Sequence, residues 1–562
     1  MACSIYRVTS PPSPISDLDC FIMHICSAAP VLVESTDSRS VVSDPANVVW
    51  LGLVRAIDGL VFELIARCYY LALSHFRSRP CRPVVAGVIS LYAADKQQAQ
   101  RELHQQLRAQ RSDDDTFVPI GVDPDDKTIP LALRDPSHAP PRLRDLLDGP
   151  GAPPIDALCL MRAFLVAPLL DITDSPQSVH LALHSNPTLA RACGFAGPNA
   201  TKQPGEFTTR RLPSLSACEQ FNDVMSRYGL WHRARQAIVR GNLDSGVLQH
   251  EDTLAFDTTH LESNSHCDNL LPQDAQSQLD AGKKVKHFKV ERVRKHCDCG
   301  KVNWSNCPHP WVSTDQGAAV VVKGPTRVYW AHKASVASFG DSEIPIDVRV
   351  LNYAAHSDSK TLLPHLALLN SDMPDVVEKL RVALADSAYS CNADQLAQRY
   401  PHIRLSAPII QRKCVGTENL FAGIDHFTAT GVPVCQAGHR FDLRCRDVED
   451  QRFIWVAPDD EHELPVCSSC PMKQGCLTKG SRRNIRVERQ LTPQIDWDHP
   501  QHFRTEKAIY GRRTGVERAI KRIKVDLDAQ CLPYRDAYRV QAFLDRKLLT
   551  LHLLLKIQAL AG

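Results

Sequence analysis

Tyr510-Gly511-Arg512-Arg513-Thr514-Gly515-Val516-Glu517-Arg518-Ala519-Ile520-Lys521-Arg522-Ile523-Lys524 is the stretch on which the reading of this chain turns. As a helix of 3.6 residues per turn, it puts Tyr510, Arg513, Glu517, Lys521 and Lys524 along one face. Arg512, Arg518 and Arg522 widen the basic surface around them. From Arg504 to Lys524 there are eight Lys or Arg and two Glu. A single carboxylate in such a field suits a metal ion that must meet phosphate. The cations hold phosphate oxygens and Glu517 holds the metal. The run equally fits a solvated helix with Arg513–Glu517 and Glu517–Lys521 pairs at i,i+4. Spacing alone leaves both readings open.

Working outward, two upstream segments share one pattern. In Thr253-Leu254-Ala255-Phe256-Asp257 an apolar run ends in a carboxylate. In Leu380-Arg381-Val382-Ala383-Leu384-Ala385-Asp386 it does so again. Each predicts a short strand that gives way to a loop at its aspartate, where α/β sheets build their sites. A single such Asp is ordinarily a turn or cap residue. Two of them, together with Glu517, shift the balance. Between them Arg327–Lys333 and Ile344–Leu351 read as strands, and His356–Leu369 as a helix. Phe543, Leu544, Leu548, Leu549, Leu551 and Leu553–Leu555 predict a strongly apolar closing helix that packs on the sheet.

The chain has 562 residues, which predicts more than one domain. Hydrophobic content of 43% and charged content of 23% are those of a globular protein. A net charge of +3 gives no argument for a nucleic-acid partner from the total. The charge is uneven, with an acidic run at 113–126 and a basic run at 283–295. No signal peptide is expected from the first residues. The apolar stretch 48–76 is interrupted by Arg55, Asp58, Glu63 and Arg67, which argues against a membrane span.

Five parts are expected. Residues 1–150 are an N-terminal region, partly helical, with an acidic and proline-rich linker. It includes an amphipathic helix at 48–76 with Trp50, Leu53, Val54, Ile57, Leu60, Val61, Leu64 and Ile65 in step, and a further helix at 96–110. Residues 155–245 are helical. Ser175-Pro176 reads as an N-cap with proline in the first turn, Ser216–Glu219 as a capping box and Gly229 as a stop. This module, with Arg191, Lys202, Arg210 and Arg211, is either DNA-binding or structural. Residues 250–400 and 501–562 form the two parts of the core, with an insertion at 401–500.

Twenty cysteines in a chain of this length, several at metal-ligand spacing, point to a reducing compartment rather than a disulfide scaffold. One group is His296, Cys297, Cys299, Cys307 and His309, where C-x-C is tighter than usual for zinc. The other is Cys467-x2-Cys470 with Cys476, and Cys435 and Cys445 upstream. Cys435, Cys467, Cys470 and Cys476 are candidate zinc ligands, and reduced metal-free thiols are the alternative. Arg482, Arg483, Arg486 and Arg489 follow as a basic edge suited to phosphate.

Tyr510-x2-Arg513-x3-Glu517-x6-Lys524 resembles the Tyr-Arg-Glu-Lys signature of bacterial insertion-sequence transposases with a DDE triad. Cys435-Gln-Ala-Gly followed by Cys467-x2-Cys470 and a basic segment resembles a stretch found in one group of them. The resemblance covers about residues 155–555. It implies an α/β fold: an RNase H-like mixed sheet with flanking helices, interrupted by the cysteine-containing insertion and preceded by the helical domain. Asp257, Asp386 and Glu517 would then be catalytic and hold two Mg2+ ions, with Mn2+ as a substitute. Tyr510, Arg513 and Lys524 would grip DNA. Cys435, Cys467, Cys470 and Cys476 would be candidate ligands of a structural Zn2+. The implied activity is cutting element ends and joining them to target DNA. The implied partner is double-stranded DNA, both terminal inverted repeats and target, bound by a homodimer in the cytoplasm at the nucleoid. Two rivals remain at this stage: a metal-dependent nuclease that does not join strands, and an inactive DNA-binding relative.

Overall fold

The computed structural model describes residues 60–78, 116–263, 315–410 and 423–561, with short breaks inside these ranges. The expected helix at 96–110, the 283–295 basic run and the His296–His309 cysteine group lie outside the described residues.

The first helix, α1 (Leu60–Ser78), turns Phe62, Ile65, Ala66, Tyr69, Tyr70 and Leu73 inward. Leu64, placed on the apolar stripe by the sequence, is 40% exposed, so the buried face is rotated from the expected one. The acidic and proline-rich stretch is not a free linker in its described part. Phe117 bridges Leu351, and Ile129 and Leu133 are buried against α1 and its neighbours. A few apolar side chains at turn-rich spacing suffice to pack such a segment.

A bundle follows: α2 (Ala157–Val166), α3 (Pro176–Ser185), α4 (Leu215–Arg227) and α5 (Leu230–Asp244). Asp156 caps α2 by accepting from Leu158 and Cys159 N–H. Ser175 caps α3 with Pro176 behind it, as its sequence requires. The cap of α4 is Ser214, whose side chain accepts from Ala217 N, and not Ser216. A hydroxyl two residues earlier reaches the free N–H groups first. Gly229 does more than stop α4: at φ 61° it starts α5 at once, and a Cβ there would lie 2.8 Å from Gly121 Cα.

The sheet comprises β1 (Thr253–Glu262), β2 (Ala319–Lys323), β3 (Arg327–Phe339), β4 (Pro345–Val350), β5 (Val382–Leu384) and β6 (Arg404–Ser406). Its order is β2-β3-β1-β5-β6, with β4 also on β3. β1 runs antiparallel to β3 and parallel to β5, and β5 runs parallel to β6. The sheet is therefore mixed. Helix α6 (Leu362–Asp372) covers one face, where Phe256, Phe339, Leu366 and Leu396 pack. The other face packs Ala255, Val336 and Leu384 against the C-terminal helices.

The insertion holds β7 (Ile424–Phe427) with β8 (Pro433–Cys435), and β9 (Asp442–Asp447), β10 (Arg452–Val456) and β11 (Asn484–Glu488) as a small sheet around Phe453, Trp455 and Trp497. The chain then forms α7 (Arg504–Gly511), α8 (Thr514–Lys521), a π turn at Arg522–Asp526, and α9 (Ala537–Ala561). Helix α9 packs on β4 as expected, and also against α5 and α4. Its Arg546 is buried among Phe164, Trp231, Tyr534 and Phe543, paired to Asp174 and donating to Asn222. That residue ties the bundle to the last helix. Among the described residues no helix is long and apolar enough to cross a membrane.

Candidate active site

Asp257 lies in the middle of β1, not at its end as the sequence suggested. β3 pairs with β1 from Leu254 to Glu262 and extends it, and Thr258 and Thr259 suit a strand. The parallel partner β5, however, stops pairing at Ala255. On that side Asp257 stands just past the last rung. Asp386 follows the end of β5 and caps the 3-10 turn Ser387–Asn392, its Oδ1 accepting from Ala388 N at 2.8 Å. The two aspartates thus come from adjacent parallel strands.

The Tyr510–Lys524 stretch is not one continuous helix. It bends at Arg512 and Arg513, between Gly511 and Gly515, where helix propensity is low. Both arginines keep right-handed backbone angles, so Tyr510, Arg513 and Glu517 still face the same way. The following π turn displaces Lys524 from the expected line. Its Nζ reaches β1 and donates to His260 O at 2.9 Å and Thr259 Oγ1 at 3.2 Å.

Arg513 joins the parts. Its Nη1 lies 3.5 Å from Asp257 Oδ2 and its Nη2 donates to Glu517 Oε1 at 2.5 Å. Its guanidinium carbon lies 5.8 Å from the centre of the Tyr510 ring. The Asp386 charge acts on both Asp257 and Tyr510. Asp386 thus lies near enough to Asp257 and Tyr510 for its charge to be felt at both, and Glu517 is linked to Asp257 through Arg513. Burial pushes the Asp257 carboxyl up to about 6; the Thr258 N–H and Arg513 oppose this, while Asp386 and Asp358 add to it. Burial also raises Tyr510, against the charge and the hydrogen bond of Arg513, so its hydroxyl stays protonated.

Much of the expected basic surface is used inside the molecule. Arg512 clamps the turn, donating to Asp341 Oδ1 at 2.7 Å, Thr253 Oγ1 at 2.7 Å and Glu251 Oε2 at 3.2 Å. Arg518 pairs with Glu343, and Arg522 is buried. In the insertion, Arg482 pairs with Asp459, and Arg489 donates to Gln451. These partners are remote in sequence, so no local pattern announces them. Gly515 was equally silent. A Cβ there would lie 2.5 Å from Gly340 O, so α8 rests directly on the turn after β3 and carries Glu517 at that height. Gly515→Ala is expected to cost about 1–3 kcal/mol, the usual range for overpacking. A lowered midpoint in urea titration is the measurement, and an unchanged one would refute the close approach.

Among the described residues no three His, Cys, Asp or Glu stand in a ready arrangement for a metal ion. The donor chemistry of the site nevertheless fits a hard cation. Asp257 is costly to ionise where it is buried, and the cation that pairs with both Asp257 and Glu517 is Arg513. In the insertion, burial raises the Cys476 thiol. Arg483 opposes this and Cys467, Cys435 and Cys470 add to it, so each of those three lies within electrostatic reach of Cys476. All four are free. Cys445 is exposed on β9.

Residues 434–545 match a family model described as a transposase DDE domain. A transposase DDE domain is thus present over this part of the chain. The match takes in the four insertion cysteines and the whole of Tyr510–Lys524. Asp257 and Asp386 lie before it. No curated protein matches the chain.

Proposed function

We propose that this chain is a DNA transposase that cuts element ends and joins them to target DNA, with Asp257, Asp386 and Glu517 as its catalytic carboxylates. The observation that carries the reading is the Arg513 bridge, which brings Glu517 of the matched segment to Asp257, in the field of Asp386. The fold supports it. Taken as β4-β3-β1-β5-β6, with the first three antiparallel and the last two parallel to β1, the mixed sheet is consistent with an RNase H-like core. The division at 1–150, 155–245, 250–400, 401–500 and 501–562 belongs to the same reading, as does a homodimer on DNA.

Transposase DDE domains work with divalent cations. Two Mg2+ ions, or Mn2+, held by Asp257, Asp386 and Glu517, would activate a water or 3′-hydroxyl and stabilise the leaving oxygen. Arg513 must then release its carboxylates, which frees a planar two-pronged donor for phosphate. Tyr510 supplies a neutral hydrogen-bond donor beside it. Lys524 supplies a point charge where β1 leaves the site. The ring hydroxyl needs no covalent role.

The test is an assay of Mg2+-dependent cleavage and strand transfer on the DNA that flanks the gene. A joined product supports the reading. Cleavage without joining identifies a nuclease, and binding without cleavage an inactive relative. Lys524→Ala is expected to weaken binding and to reduce the salt slope of the affinity by about one unit, as loss of one phosphate contact should. An unchanged slope would remove Lys524 from the DNA contacts.

Cys435, Cys467, Cys470 and Cys476 are proposed as zinc ligands, since four thiolates suit a soft tetrahedral site and the Cys476 thiol feels the other three. Purified protein is expected to carry zinc that Cys467→Ser or Cys470→Ser loses. Elemental analysis that finds no zinc in the parent would reject the assignment.

A further inference from the structure

The aspartates at 257 and 386 come from different strands, and the backbone pairing of those strands stops before it reaches either of them. β5 pairs with β1 only over Thr253–Ala255, short of both carboxylates. The loop His356–Thr361, before α6, spans that gap. On the β1 side, Thr258 Oγ1 donates to Asp358 Oδ1 at 2.6 Å. Thr258 N donates to Asp257 Oδ1 at 2.7 Å, so the same residue holds the Asp257 side chain. Lys333 on β3, nearly buried, pairs with Asp358 and donates to His356 O at 2.9 Å. On the β5 side, Asn392 Nδ2 donates to Ser359 O at 2.7 Å. Thr361 Oγ1 and the buried Tyr389 hydroxyl are 3.1 Å apart. Asn392 and Tyr389 both belong to the turn that Asp386 caps.

We infer that the loop His356–Thr361 is a bracket that sets the distance and orientation of Asp257 relative to Asp386, with Thr258, Asp358 and Asn392 as positioning residues. The inference rests on the reading of those two aspartates as metal-holding carboxylates. Mg2+ demands near-ideal geometry from its oxygens. Partners that orient such ligands matter to affinity though they never touch the ion. Asp358 is also a fourth acid whose charge is felt at Asp257, and it pairs with Lys333.

The experiment is a calorimetric titration of the full-length protein with MgCl2, and separately MnCl2, with the metal-free thermal midpoint measured in parallel. Thr258→Val keeps the shape of the side chain and removes the donor. Asn392→Ala cuts the bracket from its other end. Each is expected to weaken metal binding by about tenfold or more, with Thr258→Ser restoring the parent affinity. A purely structural role would lower the metal-free midpoint and leave affinity unchanged. That result in both variants overturns the bracket. Asp257→Asn serves as the control. If it binds metal as the parent does, the carboxylate reading fails and the bracket with it. If it loses metal while Thr258→Val and Asn392→Ala do not, the bracket alone is overturned. Should Thr258→Val fail to fold, Asn392→Ala decides the comparison from the opposite side.

Discussion

Glu517→Gln is expected to lower Mg2+-dependent cutting and joining by at least about a thousandfold, since a metal ligand supports several kcal/mol of transition-state stabilisation. The change keeps the shape of the side chain and removes the charge a hard cation needs. DNA binding should persist or tighten, because one negative charge that repels phosphate is removed. Arg513 loses one of its two carboxylate partners in the variant and keeps Asp257. The measurement is a cleavage and strand-transfer assay run beside a gel-shift titration. If the variant cuts as the parent does, Glu517 serves only as the i,i+4 partner of Arg513, and the stretch is an ordinary charged helix.

The second large effect concerns stability. Asp347 on β4 is fully buried and sits at the centre of an ion network. Its Oδ1 lies 2.6 Å from Arg235 Nη2, and its Oδ2 accepts from Arg349 Nε at 2.7 Å and meets His365 Nε2 at 3.1 Å. Arg235, on α5, also donates to Asp545 of α9 at 2.8 Å. Asp347→Ala leaves Arg235 and Arg349 buried without their common partner. A loss of about 3–5 kcal/mol at neutral pH is expected, as for other broken buried pairs. Urea titration measures it, and a loss under about 1 kcal/mol would mean that the two arginines find other partners.

The pH dependence follows from the same group. Despite the opposing effect of burial, Arg349 and Arg235 hold Asp347 well below the usual carboxylate range. The bond from His232 and the charge of Arg349 likewise bring Asp372 down to about 2. For a depressed carboxylate, the stabilisation is present above the unfolded-state value of about 4 and is lost as pH falls through the folded value. The parent should therefore lose stability from about pH 4 downward, and the gap between parent and Asp347→Ala should narrow over that interval.

The sequence alone carried whatever depends on near neighbours in the chain. The Ser175 cap, the apolar run before Asp386 and the apolar α9 are local patterns, and they fold as they read. The Tyr510, Arg513 and Glu517 spacing survives the bend because Arg512 and Arg513 stay in the helical region. Tertiary structure decided the rest. β1 runs past Asp257 because β3 pairs with it, which no count of residues within β1 predicts. Arg512, Arg518 and Arg522 look like a DNA surface until their partners or their burial are seen, and Glu251, Asp341 and Glu343 lie far away in sequence. Arg235, Asp347 and Asp545 span more than three hundred residues, yet form one buried group. Composition cannot tell a solvated charge from a buried, paired one, because the difference lies in which distant segment the fold brings against it.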